Sequence, residues 1–457
     1  MPHSPRFMDL IVGLAILVVL GRAAEARDPN GLAKPNVVIV MTDDQGYGDL
    51  SCHGNPVLQT PHLDRLHGRS VRLTDFHVAP MCTPTRGQLM TGRDALDNGA
   101  SYVNRRSMMR HDLPTMAGIF ADAGYRTGLF GKWHLGDSYP ARPLDRGFDT
   151  VIRHRAWGIT SLADYFGNDY FDDTYLHNGE YEKYDGYCTD VWFDEAMRWM
   201  KARQAADERF LCYIPTNAPH VPHWVADRYA KPYRGKGPAA FFGMIANIDE
   251  NMGRLFRFLE ETGVAEDTIL VFLTDNGTTA GEKVFNAGMR GKKTSLYEGG
   301  HRVPCFVHWP GGGLDQPRDI EALTHVQDLL PTLLDMCGVP APEDADFDGV
   351  SLLPLLRGES ETLPDPDRML VVQYGEPPRP GEAAVLWRKW RLVEGKELYR
   401  VDEDPGQQRN FSSSKSGSCG HESLNLLEQG KLEFGSVDWS GYFCRPAEQM
   451  EQQRPKS

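Results

Sequence analysis

The sequence predicts an α/β fold with a mostly parallel central sheet, helices on both of its faces, and a small C-terminal antiparallel sheet domain. Three observations predict it. Short apolar runs rich in Val, Ile, Leu and Phe alternate with segments of amphipathic helical spacing. Polar residues follow directly on several of these apolar runs. From about residue 366 the pattern changes to short segments that are typical of antiparallel strands.

The predicted core strands are short, as expected for strands buried on both faces of a sheet. They cover Asn36–Met41, Thr127–Phe130, Phe210–Ile214, Thr268–Leu273 and Val303–His308. Three helices with clear apolar stripes are predicted at 113–121, 245–259 and Thr324–Cys337, each closed by a glycine, at Gly124, Gly263 and Gly338.

The chain is divided into four segments by composition. Residues 1–26 form a predicted signal peptide, 27–365 the main domain, 366–410 a small C-terminal α+β subdomain, and 411–457 an atypical polar tail without clear periodicity. The Pro-rich stretch at 363–366 marks the boundary of the subdomain. Its predicted strands lie at Met369–Tyr374, Val385–Trp387, Lys389–Val393 and Glu397–Val401, with a hairpin turn at 394–396.

The N-terminus predicts export to the periplasm or the exterior. Arg6 precedes the apolar run Leu10–Leu20, and Ala24-Glu25-Ala26 follows as a small-x-small cleavage site. The apolar run is shorter than the roughly 20 residues of a membrane span, although an uncleaved anchor stays an alternative. No later segment predicts a membrane span in the mature chain.

The net charge and the spacing of the cysteines argue against some classes of partner and of metal site. A net charge of −14 argues against nucleic acid or an anionic membrane as a general partner. None of the eight cysteines has the close spacing of a zinc site. Cys212 and Cys305 lie in apolar runs and are predicted core residues, whereas Cys419 and Cys444 could bridge the tail.

Polar residues follow four of the predicted strands, at Thr42–Asp44, Gly131–His134, Pro215–His220 and Thr274–Gly277. Because the carboxyl ends of parallel strands open on one edge of a sheet, these residues are expected to converge on one site. Asp43, Asp44, Asp275 and Asn276 offer hard oxygen ligands, which suit Ca²⁺ or Mg²⁺. Taken singly, the acids could instead be solvated loop residues or helix caps.

The sequence Cys82-Thr83-Pro84-Thr85-Arg86 predicts a cysteine at the start of a helix, since Pro84 suits a first turn. The positive potential there favours an anion, and Arg86 follows about one turn later. A lone cysteine is more often a buried or disulfide-bonded residue.

With these motifs the sequence resembles the sulfatase family, of the arylsulfatase type in the alkaline phosphatase superfamily. The resemblance spans roughly residues 35 to 410, and five short motifs in order at compatible spacing make it specific. The motifs are 35–44 with 82–86, 131–136 (GKWHLG), 217–220 (NAPH), 274–277 (TDNG), and 291–300 (GKKTSLYEGG).

The resemblance implies that a formylglycine-generating enzyme converts Cys82 to formylglycine and that 27–365 is a sulfatase catalytic domain. The hydrated aldehyde attacks sulfur and expels the alcohol, and its second hydroxyl then releases sulfate. A plain serine would be left as a stable sulfate ester.

The resemblance also implies the roles of the surrounding residues. One Ca²⁺ is bound by Asp43, Asp44, Asp275 and Asn276 and contacts the residue derived from Cys82. Arg86, Lys132 and Lys293 hold the nucleophile and the sulfate oxygens. His134 assists sulfate release, and His220 protonates the leaving alcohol, alone or with Lys293. Lys293 is preferred to Lys292 because it stands four residues before Tyr297.

The predicted substrate is a sulfate ester, with a sulfated carbohydrate as the expected alcohol. The alternatives are a formylglycine-dependent phosphodiester or phosphonate monoester hydrolase, and a non-catalytic sulfoglycan-binding protein in which Cys82 stays unconverted. Ser161 is a weak candidate for a further sulfate contact. His62, His67, His77, His223 and His325 are predicted surface or local structural residues. The tract 164–178 could line the entrance or form a surface loop.

Overall fold

The computed structural model describes residues 34–103, 108–374 and 382–413 of the chain. It confirms the predicted fold class. A sheet of ten strands lies between helices, and a separate sheet of four antiparallel strands follows toward the C-terminus. The signal peptide, Cys419, Cys444 and nearly all of the 411–457 tail lie outside the described residues. Within them, no helix is long and apolar enough to cross a membrane.

The strands are numbered β1–β16 in chain order. They are Asn36–Thr42, Val71–Leu73, Phe76–His77, Arg126–Gly131, Thr150–Arg153, Thr174–His177, Glu180–Lys183, Phe210–Pro215, Thr268–Thr274, Cys305–His308, Arg318–Ile320, Thr324–His325, Met369–Gln373, Ala383–Trp387, Trp390–Val393 and Glu397–Arg400.

The α-helices of the described ranges are numbered α1–α10 in the same way. They are Pro61–His67, Cys82–Thr91, Ala95–Asn98, Met116–Asp122, Cys188–Ala205, Asp227–Ala230, Ala239–Glu261, Glu298–His301, Leu329–Met336 and Leu353–Arg357.

The large sheet has the order β11-β2-β10-β9-β1-β8-β4-β5-β6-β7. Its five central strands, β9 to β5 in that order, are parallel. The predicted strand at 303–308 is shorter, Cys305–His308, and runs antiparallel to β9. The four strands with polar residues after them, β1, β4, β8 and β9, are all among these five, so their carboxyl ends share one edge.

The core lies on both faces of this sheet because β1 is apolar from Val37 to Met41 and buried along its whole length. Alternate residues serve opposite faces. Val37 and Ile39 pack in a cluster with residues of α2, α4 and α9. Val38 and Val40 pack in a second cluster with residues of α1, α5 and α7. The predicted core cysteines Cys212 and Cys305 are buried.

The helix predicted at 324–337 is shorter than expected. Thr324 and His325 instead pair with Phe76 and His77 as β12 and β3, and α9 begins only at Leu329 after a 3₁₀ turn. A strand pairing with residues about 250 positions away overrides the local helical pattern. The other two predicted helices shift as well, to Met116–Asp122 and Ala239–Glu261.

The small sheet pairs β13, β14, β15 and β16 in sequence order, all antiparallel. Glu394 and Gly395, between β15 and β16, both have positive φ, 52° and 64°. Two such residues form the tight turn that joins antiparallel strands, as predicted for 394–396. The sheet packs through its own apolar cluster, which includes Leu323 and Tyr297 from the main domain side.

Candidate active site

The two acidic pairs lie side by side because β1 and β9 pair in register. Thr42 lies opposite Thr274 at the last rung of the ladder, so Asp43 and Asp275 follow at adjacent positions. The backbone N–H of Asp44 donates to Asp275 Oδ1 at 3.1 Å. The side-chain amide of Asn276 donates to Asp44 Oδ1 at 3.0 Å. Both pairs are almost completely buried.

A glycine lets Lys132 enter this site. Gly131, at the end of β4, has a φ of +130°, and a Cβ there would lie 2.0 Å from the carbonyl oxygen of Pro215. The N–H of Lys132 donates to that same oxygen at 2.7 Å. Since only glycine fits this approach of two strand ends, it fixes where Lys132 leaves the sheet. The buried ammonium group of Lys132 contacts Asp43 Oδ2.

Cys82 is the first residue of α2, all ten residues of which are buried. Its Sγ and carboxylate oxygens of Asp43 and Asp275 lie within 4.8 Å of one another. Burial raises the pKa of the Cys82 thiol, although the charges of Lys132 and Lys293 act in the opposite direction. The unmodified cysteine is therefore a neutral thiol rather than an activated thiolate.

Two further cations, besides Lys132, contact the acids of the site. Arg86, one turn after Cys82, donates to Asp275 Oδ2 at 2.7 Å and lies 3.6 Å from Asp43 Oδ2. Lys293 contacts Asp44 Oδ1. Lys292 points elsewhere and pairs with Glu282 at 2.9 Å near the surface. Lys293 and not Lys292 therefore belongs to the cluster.

The surrounding charges shift the pKa values of Asp44 and Asp275 in opposite directions. Burial raises the pKa of Asp44, but the charges of Lys293 and His220 outweigh it and hold the pKa below its ordinary value. The pKa of Asp275 is raised, first by burial and then by the charge of Asp43. Carboxylates packed this closely favour a divalent cation as their neutralising partner.

His134 lies on the helix side of the cluster and has a positive φ of 61°. A ring nitrogen lies 3.2 Å from the hydroxyl of Thr83. Burial, followed by the charges of Lys132 and Arg86, holds the pKa of His134 well below its usual range. The imidazole is therefore neutral at pH 7.

His220 approaches from the segment after β8. Its Nε2 lies 3.8 Å from Asp44 Oδ2, and its Nδ1 lies 2.7 Å from the carbonyl oxygen of Val221. That contact makes Nδ1 the donor, so Nε2 faces the acids. The hydroxyl of Tyr170 donates to the backbone oxygen of His220 at 3.1 Å. The tract 164–178 thus contacts the site directly.

The donor set fits a hard divalent cation. Asp43 Oδ1 and Asn276 Oδ1 are buried oxygens without a hydrogen-bond partner, and Asp44 and Asp275 supply further carboxylate oxygens. Oxygen ligands of this kind suit Ca²⁺.

The structure brings all ten predicted site residues together: Asp43, Asp44, Cys82, Arg86, Lys132, His134, His220, Asp275, Asn276 and Lys293. Ser161 is buried, but its hydroxyl makes no hydrogen bond to this cluster. Sequence reasoning missed Thr83, which only its place inside the 82–86 motif could have indicated, and Trp157, which no sequence pattern marked.

Two of the histidines predicted as surface or local structural residues are fully buried. His77 Nε2 lies 2.8 Å from Asp75 Oδ1 and His77 Nδ1 lies 2.9 Å from His301 Nδ1. His325 is 1% exposed. The surface alternative is wrong for both, because β3 and β12 carry them beneath the small sheet.

Comparisons with known proteins agree with this site. The sequence model of the family described as Sulfatase matches residues 35–339. The N-acetylgalactosamine-6-sulfatase of Canis lupus familiaris is 29% identical over 388 residues, covering 76% of this chain and 70% of the relative. Arylsulfatase A of Homo sapiens is 31% identical over 462 residues, covering 88% of each chain.

A solved structure shares the fold. The crystal structure of Ps i-CgsB in complex with k-i-k-neocarrahexaose superposes with a TM-score of 0.76 at 24% identity, covering 91% of this chain and 96% of that one. The match of the family model over residues 35–339 and the 31% identity to arylsulfatase A lead to one conclusion: the chain belongs to the sulfatase family and is a sulfuric ester hydrolase.

Proposed function

We propose that this protein removes sulfate from a sulfated carbohydrate, using a formylglycine made from Cys82 and one bound calcium ion. The observation that carries the proposal is the position of Cys82. It is a buried, neutral thiol at the start of α2, within 4.8 Å of two carboxylates and in the field of Lys132 and Lys293.

A neutral thiol in this position is a poor nucleophile, which supports its conversion to another group. The sequence 82–86 fits the requirement of a formylglycine-generating enzyme, which would act as a partner during maturation. Formylglycine, as its hydrate, would supply a nucleophile with a second hydroxyl for release of sulfate.

Asp43, Asp44, Asp275 and Asn276 would hold the calcium ion, since they offer the hard, buried oxygens of the cluster. When bound, the ion would supply a Lewis acid and a template for the sulfate group. Lys132 and Lys293 pair with Asp43 and Asp44 in the structure. Once the ion occupies these carboxylates, both ammonium groups would be free to contact substrate oxygens.

Arg86, Lys132 and Lys293 would bind the sulfate oxygens and stabilise the negative charge that develops on them. Neutral His134 would accept the proton of the nucleophile's second hydroxyl as sulfate departs. His220 would donate a proton to the leaving alcohol from Nε2, alone or with Lys293. The two histidines lie on different segments, 131–136 and 217–220, so each would serve one of these two proton transfers.

A carbohydrate as the alcohol is supported by the name of the canine relative, an N-acetylgalactosamine-6-sulfatase, and by the saccharide in the Ps i-CgsB structure. The predicted signal peptide at 1–26 supports export to the periplasm or the exterior, where the protein would meet sulfated glycans.

The test is sulfate release by protein co-produced with a formylglycine-generating enzyme, before and after chelation and calcium return. We expect release from 4-nitrophenyl sulfate that falls at least about 100-fold on chelation and recovers with Ca²⁺. Asp43→Asn should weaken calcium binding, measured by calorimetry independently of activity. Rapid cleavage of a phosphodiester with no sulfate release would instead favour the phosphohydrolase alternative.

A further inference from the structure

The site opens toward a group of exposed apolar side chains. Eight of the eleven exposed large apolar side chains of the described residues lie in segments 157–181 or 221–224. Segment 221–224 directly follows His220. Segment 157–181 contacts His220 through Tyr170, whose hydroxyl donates to the backbone oxygen of His220. Concentrated apolar exposure of this kind marks a binding surface more often than isolated residues do.

Trp157 is the member of this group that touches the site. Its ring centroid lies 5.5 Å from that of His220, with the ring planes at 52°. His220 is 8% exposed, whereas Trp157 keeps 42% of its surface exposed. One part of the indole therefore packs on the imidazole, and another part stays open to a ligand.

A second pair of aromatic side chains lies near Lys293. Tyr102 and Tyr374 stack with centroids 5.5 Å apart, and both are partly exposed. The charge of Lys293 reaches Tyr374, where it lowers the pKa of the phenol against the larger opposing effect of burial. Aromatic rings thus accompany both groups that are proposed to protonate the leaving alcohol.

The charge of the segment that contains Trp157 limits what can bind there. Between Val151 and Tyr187 the sequence has seven carboxylates against two arginines and one lysine. Arg153 is already paired with Asp137. Five of the seven acids are exposed: Asp169, Asp172, Glu180, Glu182 and Asp185. A surface of this charge disfavours a second sulfate on the leaving group, whereas sugar hydroxyls can donate to exposed carboxylates.

We propose that Trp157 is a specificity-determining residue whose indole face stacks on the pyranose ring of the leaving sugar, and that this sugar carries no sulfate other than the one removed. The inference rests on the proposed function, because it places the leaving alcohol beside His220. The C–H face of a pyranose matches the negative face of an aromatic ring.

The test compares wild type, Trp157→Ala and Trp157→Phe on the mono- and disulfates of galactose and N-acetylglucosamine and on 4-nitrophenyl sulfate. For the best monosulfated sugar, Trp157→Ala should raise KM about tenfold or more, and Trp157→Phe should stay within about threefold of wild type. The inhibition constant of inorganic sulfate should stay within about twofold, since sulfate lacks the leaving group. Tyr139→Ala removes an exposed aromatic outside both segments and should match wild type.

The outcomes separate this inference from the proposed function. Wild type that releases sulfate from none of these esters contradicts the proposed function. Active wild type whose KM for monosulfated sugars is unchanged by Trp157→Ala overturns the stacking. Disulfated sugars that are cleaved as efficiently as monosulfated ones overturn the substrate class. Activity confined to the aryl ester contradicts the carbohydrate substrate of the proposed function and overturns this inference with it. A sulfate inhibition constant that rises as much as KM also overturns the stacking, because the substitution then acts on sulfate binding rather than on the leaving sugar.

Discussion

Replacing Arg391 with methionine should destabilise the junction between the small sheet and the main domain. Arg391, on β15, is 1% exposed and donates to Glu298 at 2.7 Å and to Asp75 at 2.8 Å. Removing one partner of a buried ion pair leaves uncompensated charge and destabilises by about 3–5 kcal/mol. Here two buried carboxylates lose their shared cation, although Asp75 keeps Lys389 at 2.9 Å and Glu298 keeps Arg302 at 3.6 Å. We therefore expect Arg391→Met to fall at the lower end of that range at pH 7.

The pH dependence of this loss has a defined sign. Burial raises the pKa of Glu298, but Arg391 and then His77 outweigh it and hold the pKa at about 2. A carboxyl with a lowered pKa stabilises the fold above its unfolded pKa, and that stability is lost as pH falls toward the folded pKa. Without Arg391 the carboxyl protonates earlier, so the difference between variant and wild type should shrink as pH falls from about 7 to about 4.5.

The assay is urea denaturation followed by tryptophan fluorescence at both pH values. Arg400→Met is the matched control, because Arg400 lies on the neighbouring strand β16 with its partners Asp402 and Glu403 exposed. It should unfold like wild type. A loss below about 1 kcal/mol for Arg391→Met at pH 7, or a loss that does not shrink at lower pH, would refute the reasoning.

Two further pairs of variants test the site. Lys293→Met should lower kcat by about 100- to 1,000-fold, whereas Lys292→Met, at an exposed ion pair, should stay within about twofold of wild type. Equal losses in both would contradict the assignment of Lys293. Gly131→Ala should destabilise by about 2–6 kcal/mol through backbone strain and overpacking against Pro215, and should disturb Lys132. Gly124→Ala, at a φ of +87° with open space around it, should lose only about 1–2 kcal/mol by the same denaturation assay.

The parallel core and the strand-end positions of the site residues were predictable because both follow from local patterns. Apolar runs mark buried strands, and Thr42 and Thr274 need only pair in register to bring the acids together. What the sequence could not reveal depends on distant contacts. The pairing of His325 with His77 and the path that brings Trp157 beside His220 join segments with no local signal.

The buried charge cluster beneath the small sheet shows the same limit. Arg391 meets Asp75 across 316 positions of sequence, and nothing near either residue predicts a partner. Charged residues are usually solvated, so local reasoning favours the surface for both. Only the packing of the small sheet on the main domain removes them from water.

The central claim is that Cys82 becomes the nucleophile, and mass spectrometry of its peptide tests this most directly. The protein is co-expressed with a formylglycine-generating enzyme, and sulfate release from the same preparation is measured. We expect the peptide to lose about 18 Da, the difference between cysteine and formylglycine, and we expect Cys82→Ala to abolish sulfate release. An unmodified thiol in a preparation that still releases sulfate, or full activity of Cys82→Ala, would contradict the account.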